Sequence, residues 1–197
     1  VVNANIAGGK SDIFVNQKIA LQSQIDSDGL VHNELTVTRK HTGDTSDYSW
    51  YQAANQDYMK IYALPGAKLI SVASDTPKTV YPQINYKHAG YATDTDVIAS
   101  DSGKEFGKSS FDAWLTTDAG ETKSIVFTYD NPTKIPLQAG NTYTFVFDRQ
   151  SGVRGGVDFT LGAPPGFKWQ ETNNPTFEYK NDNPDARVTI TLTLAGI

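Results

Sequence analysis

The chain of 197 residues contains no cysteine, which excludes a disulfide framework, a thiolate metal site and a cysteine nucleophile. Folding must therefore rest on packing alone, and a chain of this length can bury a sizeable core in one domain. No apolar run approaches the roughly 20 residues that cross a bilayer. The chain opens at Val1 without the basic and apolar regions of a signal peptide, so it reads as a soluble ectodomain cut from a longer polypeptide. An excess of basic charge is missing too: 17 Lys and Arg stand against 22 Asp and Glu, and the basic residues are scattered rather than striped. That removes the electrostatic footprint of a nucleic-acid binder. There is no G-x-S-x-G, and His32, His41 and His88 are not at metal-binding spacings. Amphipathic helical periodicity is also absent.

What the sequence does have is alternation with period two, the mark of half-buried strands. Ile19, Leu21 and Ile25 alternate with polar residues, Asp26-Ser27-Asp28-Gly29 turns the chain, and Val31, Leu35 and Val37 resume, which predicts a hairpin. Asp26-x-Asp28-Gly29 reads as a turn and not as a calcium loop, because apolar strand positions follow where further oxygen ligands would be needed. Two more hairpins are predicted. One pairs Phe111–Leu115 with Ile125–Tyr129, and the other pairs Tyr143–Phe147 with Val157–Leu161 across the polar tip Q-S-G-V-R-G-G. Val188, Ile190, Leu192 and Leu194 alternate with Thr in the last strand. Residues 1–12, rich in Gly and Asn, read as an irregular lead-in. Strands with turns at short intervals predict an all-β, antiparallel two-sheet β-sandwich, Ig-like or related, with long loops. One domain covers residues 1–197, and 75–107 is its only candidate inserted loop or subdomain.

Candidate contact residues fall in two groups. Arg149, Gln150 and Arg154 crowd the glycine-rich tip, where bidentate donors could hold a carboxylate or phosphate. Trp50, Tyr51, Tyr81, Tyr86 and Tyr91 lie in connections, where rings can stack on a sugar face or anchor a protein partner, or else cap the core. The acidic pairs Asp94/Asp96 and Asp182/Asp185 could serve a calcium ion or glycosidase chemistry, but turn formation explains them more simply. Lys18 raises a Lys–Asn isopeptide crosslink, for which the last strand offers no Asn. No catalytic residue and no required cofactor emerge.

Four phrases in order carry a family resemblance. They are N-A-N-I-A-G-G-K-S-D-I-F-V-N-Q-K-I at 3–19, Y-M-K-I-Y-A-L-P-G-A-K-L-I-S-V at 58–72, A-G-E-T-K-S-I-V-F-T-Y at 119–129, and Y-T-F-V-F-D-R-Q-S-G-V-R-G-G-V-D-F-T-L at 143–161. Together they resemble the bacterial envelope proteins of the domain of unknown function 4012 family, nearly end to end. The chain differs at Ser151, where the family turn has proline, and residues 75–107 have no counterpart. The resemblance implies an outward-facing, β-rich, C-terminal part of a longer membrane-tethered protein, with no established activity and no catalytic residues to carry over. The expected role is a non-enzymatic extracellular module, structural or adhesive, that meets a cell-surface glycan or an envelope protein. The alternative is a carbohydrate-active protein.

Overall fold

The computed structural model describes residues 1–6, 9–74, 88, 90 and 101–197, and its regular structure is almost all β. A six-stranded sheet in the order β12-β10-β2-β3-β8-β5 forms the broadest surface. Its strands are β2 (Val15–Ile25), β3 (Val31–His41), β5 (Lys68–Ser74), β8 (Thr122–Asp130), β10 (Val157–Gly162) and β12 (Thr176–Asn181). A four-stranded sheet in the order β1-β4-β7-β6 contains β1 (Val2–Asn5), β4 (Asn55–Ala63), β6 (Asp101–Glu105) and β7 (Lys108–Thr117). A three-stranded sheet in the order β11-β13-β9 contains β9 (Thr142–Asp148), β11 (Phe167–Trp169) and β13 (Arg187–Gly196). No described helix is long and apolar enough to cross a membrane.

Period-two patterning determines which side of each strand is buried. In β2 and β3 every second residue is buried over 11 residues each, and the two strands pair antiparallel along their whole length. The predicted hairpin therefore forms. Asp26 closes it by accepting the Asp28 and Leu30 N–H groups at 2.8 and 2.9 Å. Gly29, at φ +83°, sits where a Cβ would lie 2.2 Å from the Ile135 carbonyl oxygen.

The inward faces of all three sheets contribute to one hydrophobic cluster. On the four-stranded sheet's side, Phe111 of β7 leans on Tyr129 of β8 with ring centres 5.4 Å apart. On the three-stranded sheet's side, Phe145 of β9 stacks on Phe159 of β10 at 4.0 Å and 11°. Nearby, Trp169 of β11 is fully buried and donates its indole N–H to the Leu161 carbonyl at 3.0 Å. Burial of these aromatic faces, together with the aliphatic side chains of the same cluster, holds the sheets together.

Connectivity departs from expectation in four places. Three sheets form instead of two, and the largest is mixed, because β10 runs parallel to β2 with Val157 opposite Ile19. The 143–161 hairpin does not exist: β9 pairs with β13, whereas β10 pairs with β12 and β2. Likewise β7 pairs with β4 and β6 while β8 lies in the six-stranded sheet, so both predicted hairpins are crossings between sheets. Alternation records which face is buried and carries no information about the neighbouring strand, so a hairpin and a crossing look alike in sequence. Finally, the lead-in contains β1, whose backbone pairs with β4 from Val2↔Lys60 to Asn5↔Asp57; its Val2 and Ala4 alternate with Asn3 and Asn5, but the apolar pair faces outward. Of the 75–107 segment, Asp101–Glu105 forms β6 on the edge of β7. The rest of that candidate insert, apart from residues 88, 90, 106 and 107, lies outside the described residues.

Truncating Phe159, which joins the six-stranded and three-stranded sheets, should cost about 3–5 kcal/mol as Phe159→Ala. Val146→Ala, on the exposed face of β9, should change stability by less than about 0.5 kcal/mol. Urea unfolding of both variants checks the ranking, and comparable losses would contradict the assigned faces.

Candidate ligand-binding cavity

The segment that leaves β9 is tied down at nearly every residue. Asp148 takes a bidentate pair from Arg187 at 2.6 and 3.0 Å, and the Arg149 N–H donates to the Ala186 carbonyl at 2.9 Å. Gln150 then pairs its side-chain amide with the backbone of Asn3. Its Oε1 accepts the Asn3 N–H at 2.7 Å and its Nε2 donates to the Asn3 carbonyl at 3.0 Å, which imitates a strand neighbour for the edge of β1. Farther on, the carbonyls of Arg154 and Gly156 accept the N–H groups of Gln17 and Ile19 at 2.9 and 3.0 Å. Between them Gly155, at φ +134°, lies so close to β2 that a Cβ would stand 1.5 Å from the Gln17 carbonyl oxygen. Residues 149–156 therefore form a fixed bridge and not a solvated hairpin tip.

Beneath this bridge lies a cavity of about 230 Å³ lined by Asn3, Asn5, Asp12, Val15, Gln17, Arg39 and Gln150 to Arg154. Its floor arises because the inward stripes of the sheets turn polar at this end. On β3 the sequence Val31, Asn33, Leu35, Val37 is followed by Arg39 and His41; on β2, Gln17 occupies an inward position, and on β4 so do Asn55 and Asp57. The Arg39 side chain is only 4% exposed. It donates to Gln17 Oε1 and Asn55 Oδ1, both at 2.9 Å, and lies 3.2 Å from Asp57 Oδ2 and 3.6 Å from Asp12 Oδ1. Its Nε finds no acceptor. Asp12, 60% exposed, also accepts from Asn55 Nδ2 at 2.8 Å.

Asp57 has no exposed surface, and neither of its oxygens has a well-aligned donor. Burial pushes its pKa up to about 7, against the pull of the Arg39 charge and with a further push from Asp12. This carboxyl is sealed behind Arg39 and does not line the cavity.

An aromatic surface stands beside the cavity, joined to it by the 3-10 turn Ser11–Phe14. Phe14, at the end of that turn, tilts against Tyr51 at 5.2 Å, which leaves Tyr51 half-buried as a support. Trp50 and Tyr48 project outward, 49% and 55% exposed, and stack on each other at 4.9 Å and 25°. His41 braces the same loop: its Nδ1 accepts the Gly43 N–H and its Nε2 meets the Ala53 carbonyl, both at 3.0 Å, which fixes the ring in place.

The sequence-predicted residues thus separate. Gln150 and Arg154 line the cavity, but the Gln150 amide is committed to Asn3, while Arg149 Nη1 donates to Asn183 Oδ1 at 3.0 Å. Trp50 and Tyr51 belong to the aromatic surface; Tyr81, Tyr86 and Tyr91, like Asp94 and Asp96, lie outside the described residues. Sequence reasoning missed Tyr48, Asp12, Gln17 and Arg39. Asn181 Oδ1 accepts the Asn183 N–H at 3.0 Å, so the loop carrying Asp182 and Asp185 uses local turn chemistry. Among the described residues no three His, Cys, Asp or Glu side chains gather closely enough to hold a metal. Lys18 pairs with Asp158 at 2.9 Å while half-exposed, unlike the core setting an isopeptide needs. His32 bridges Asp130 and Asp26 at 2.7 and 3.1 Å, and these bonds, that to Asp130 foremost, raise its pKa.

No family model and no curated protein matches the chain. Among solved structures, it is similar to a Legionella pneumophila protein described provisionally as nutrient binding, with 9% identity and a TM-score of 0.49, over 98% of this chain and 69% of that one. It is also similar to an M1 zinc metallopeptidase of Deinococcus radiodurans at 10% identity and a TM-score of 0.38, covering 91% and 39%. Yeast LTA4 hydrolase aligns at 8% identity and a TM-score of 0.43, over 92% of this chain and 29% of the enzyme.

Two outcomes follow from the cavity's construction. Gly155→Ala should destabilise by well over about 1 kcal/mol in thermal or urea unfolding, since neither its φ nor its contact with Gln17 admits a Cβ; a neutral result would mean the bridge is not docked on β2. For Asp57 the folded pKa of about 7 lies above the unfolded value of about 3.9, so the folded state retains a proton that the unfolded state releases between them. Its contribution to stability accordingly falls as pH rises from about 4 to 7, by up to roughly 1.4 kcal/mol per pH unit. Asp57→Asn should flatten this slope in pH-dependent unfolding, and an unchanged slope would contradict the assignment.

Proposed function

We propose that this chain is a non-enzymatic, extracellular sandwich-like module of a bacterial envelope protein that binds a cell-surface glycan through its aromatic loop. The observation that carries this reading is the stacked, half-exposed Tyr48–Trp50 pair. Its loop is held by the Lys10 N–H donating to the Trp50 carbonyl at 3.3 Å and by the His41 ring, so the rings are presented with little entropy left to lose. A ring face held in this way suits the apolar face of a sugar. The resemblance of four sequence phrases to tethered envelope proteins supports the extracellular setting and an envelope protein as the rival partner.

The second reading is a carbohydrate-active protein. Glycoside hydrolysis needs two carboxyl groups facing one another across a cleft, about 5–10 Å apart. Asp57 has the raised pKa of a general acid, but with no exposed surface it cannot touch a substrate. That favours binding over hydrolysis.

Glycan-array screening together with a pull-down from envelope extracts tests the proposal. Trp50→Ala should weaken the glycan hit by about tenfold, a typical loss for one stacking ring, and leave thermal unfolding nearly unchanged. Negative results in both assays, or a hit indifferent to Trp50→Ala, would overturn it in favour of a spacer role.

A further inference from the structure

An open sheet leaves edge strands whose outward N–H and C=O groups invite a further strand. Most of the edges here are blunted. The Gln150 amide occupies the edge of β1 at Asn3, and β9 has Val1 beside its Phe147 end. β5 is kinked by a bulge between Leu69 and Ser71, β6 has acidic residues at both ends, and β11 is only three residues long. β12 has none of these devices. It runs for six residues from Thr176 to Asn181 in unbroken register with β10, and it ends the six-stranded sheet.

The bonding pattern determines which groups β12 offers. The Pro175 carbonyl accepts the Ala163 N–H at 2.7 Å, so Phe177, Tyr179 and Asn181 turn their backbone groups to β10, while those of Thr176, Glu178 and Lys180 point away from it. None of these outward groups has a partner among the described residues. The Glu178 and Lys180 side chains are 64% and 68% exposed and meet each other only at 4.0 Å, a contact worth little in solvent. Two charges of one sign would repel a second copy in every register. Opposite signs select one. Antiparallel pairing with Tyr179 opposite its own copy sets Glu178 against the second copy's Lys180, and Lys180 against its Glu178. Sliding by two residues one way sets Glu178 against itself; sliding the other way sets Lys180 against itself and Glu178 against Asp182, so like charges meet. A slide of one residue would face the outward backbone groups with groups already spent on β10.

We propose that β12 is the interface through which a second copy of this chain adds to the six-stranded sheet, antiparallel and related by a two-fold axis at Tyr179. The sheet then continues across the dimer, and each Glu178–Lys180 ion pair is also a hydrogen-bonded backbone pair. Tyr179, half-buried against the core and tied at its hydroxyl to Asn181 Nδ2 at 3.2 Å, meets its own copy on the inward face, where the two rings cover the side of the core. One strand edge buries less than the roughly 1,200 Å² of a standard interface, so the dimer is a weak, concentration-dependent one. The pairing uses no residue of the aromatic loop or of the cavity.

Sedimentation equilibrium at low salt, from about 10 µM to about 1 mM, should show the wild-type chain passing from monomer towards dimer. Lys180→Glu leaves two acids on the strand and Glu178→Lys leaves two lysines. Each variant alone should associate at least about tenfold more weakly, and an equimolar mixture should recover wild-type association, since each supplies the charge that the other lacks. Both positions are exposed, so thermal unfolding of the two variants should match wild type. Amide hydrogen exchange on the unaltered protein gives a local readout: the Glu178 and Lys180 amides should slow as concentration rises, whereas Phe177 and Tyr179, already bonded to β10, should not change. A monomer at about 1 mM, or association that either variant leaves intact, would overturn the proposal. So would a mixture that fails to recover association, or exchange at Glu178 and Lys180 that is indifferent to concentration.

Discussion

The parallel placement of β10 beside β2 is the constraint from which the functional end of the molecule follows. β9 lies in the three-stranded sheet and β10 in the six-stranded one, so the chain leaves β9, crosses between sheets and enters β10 running in the same direction as β2. Residues 149–156 make that crossing, and their backbone continues the ladder onto β2 before β10 begins, through the bonds of Gln17 to Arg154 and Ile19 to Gly156. Gly155 is required there because the crossing runs within bonding distance of the Gln17 carbonyl. The cavity is the space left under a strand connection that had to go this way.

Such an end cannot be finished with apolar side chains, because the backbone groups of β1, β2 and the bridge meet there and must all be satisfied. The inward stripes respond by turning polar at Gln17, Arg39, Asn55 and Asp57. Burying an arginine and an aspartate together is not a cheap source of stability, since their desolvation offsets their attraction. What they supply is position. Arg39 ties β3 to β2 through Gln17, to β4 through Asn55 and to the 3-10 turn through Asp12, and that turn carries Phe14 to the base of the aromatic loop. Cavity and aromatic surface thus share one support.

Much of this architecture was legible in the residues, and what was not has a common cause. The strands themselves, the Asp26–Gly29 turn and the inward faces of β2, β3, β8 and β13 follow from period-two alternation. Strand partners do not. The alternation in Tyr143–Phe147 and Val157–Leu161 is real, yet it serves two sheets instead of one hairpin. β1 is hard to see because its alternation is inverted, with Val2 and Ala4 outward and Asn3 and Asn5 inward, amid Gly and Asn that read as turn residues. At the site, the crowding of glycine around Arg149, Gln150 and Arg154 reads as a hairpin tip, whereas the segment crosses between sheets and spends Gln150 on Asn3. Arg39 and Gln17 carried a signal that went unread: each occupies an inward position in a strand whose other inward residues are largely apolar. A polar residue in such a place must be hydrogen-bonded internally or face a cavity.

The docking of the bridge on β2 can be tested most directly by amide hydrogen exchange at Gln17 and Ile19, whose acceptors are the carbonyls of Arg154 and Gly156. If the bridge closes the cavity, both amides should be protected to the same degree as Leu21 and Ser23 in the middle of β2. Exchange at Gln17 and Ile19 near the rate of an open chain, with Leu21 still protected, would mean that the bridge is undocked and that no cavity is formed beneath it.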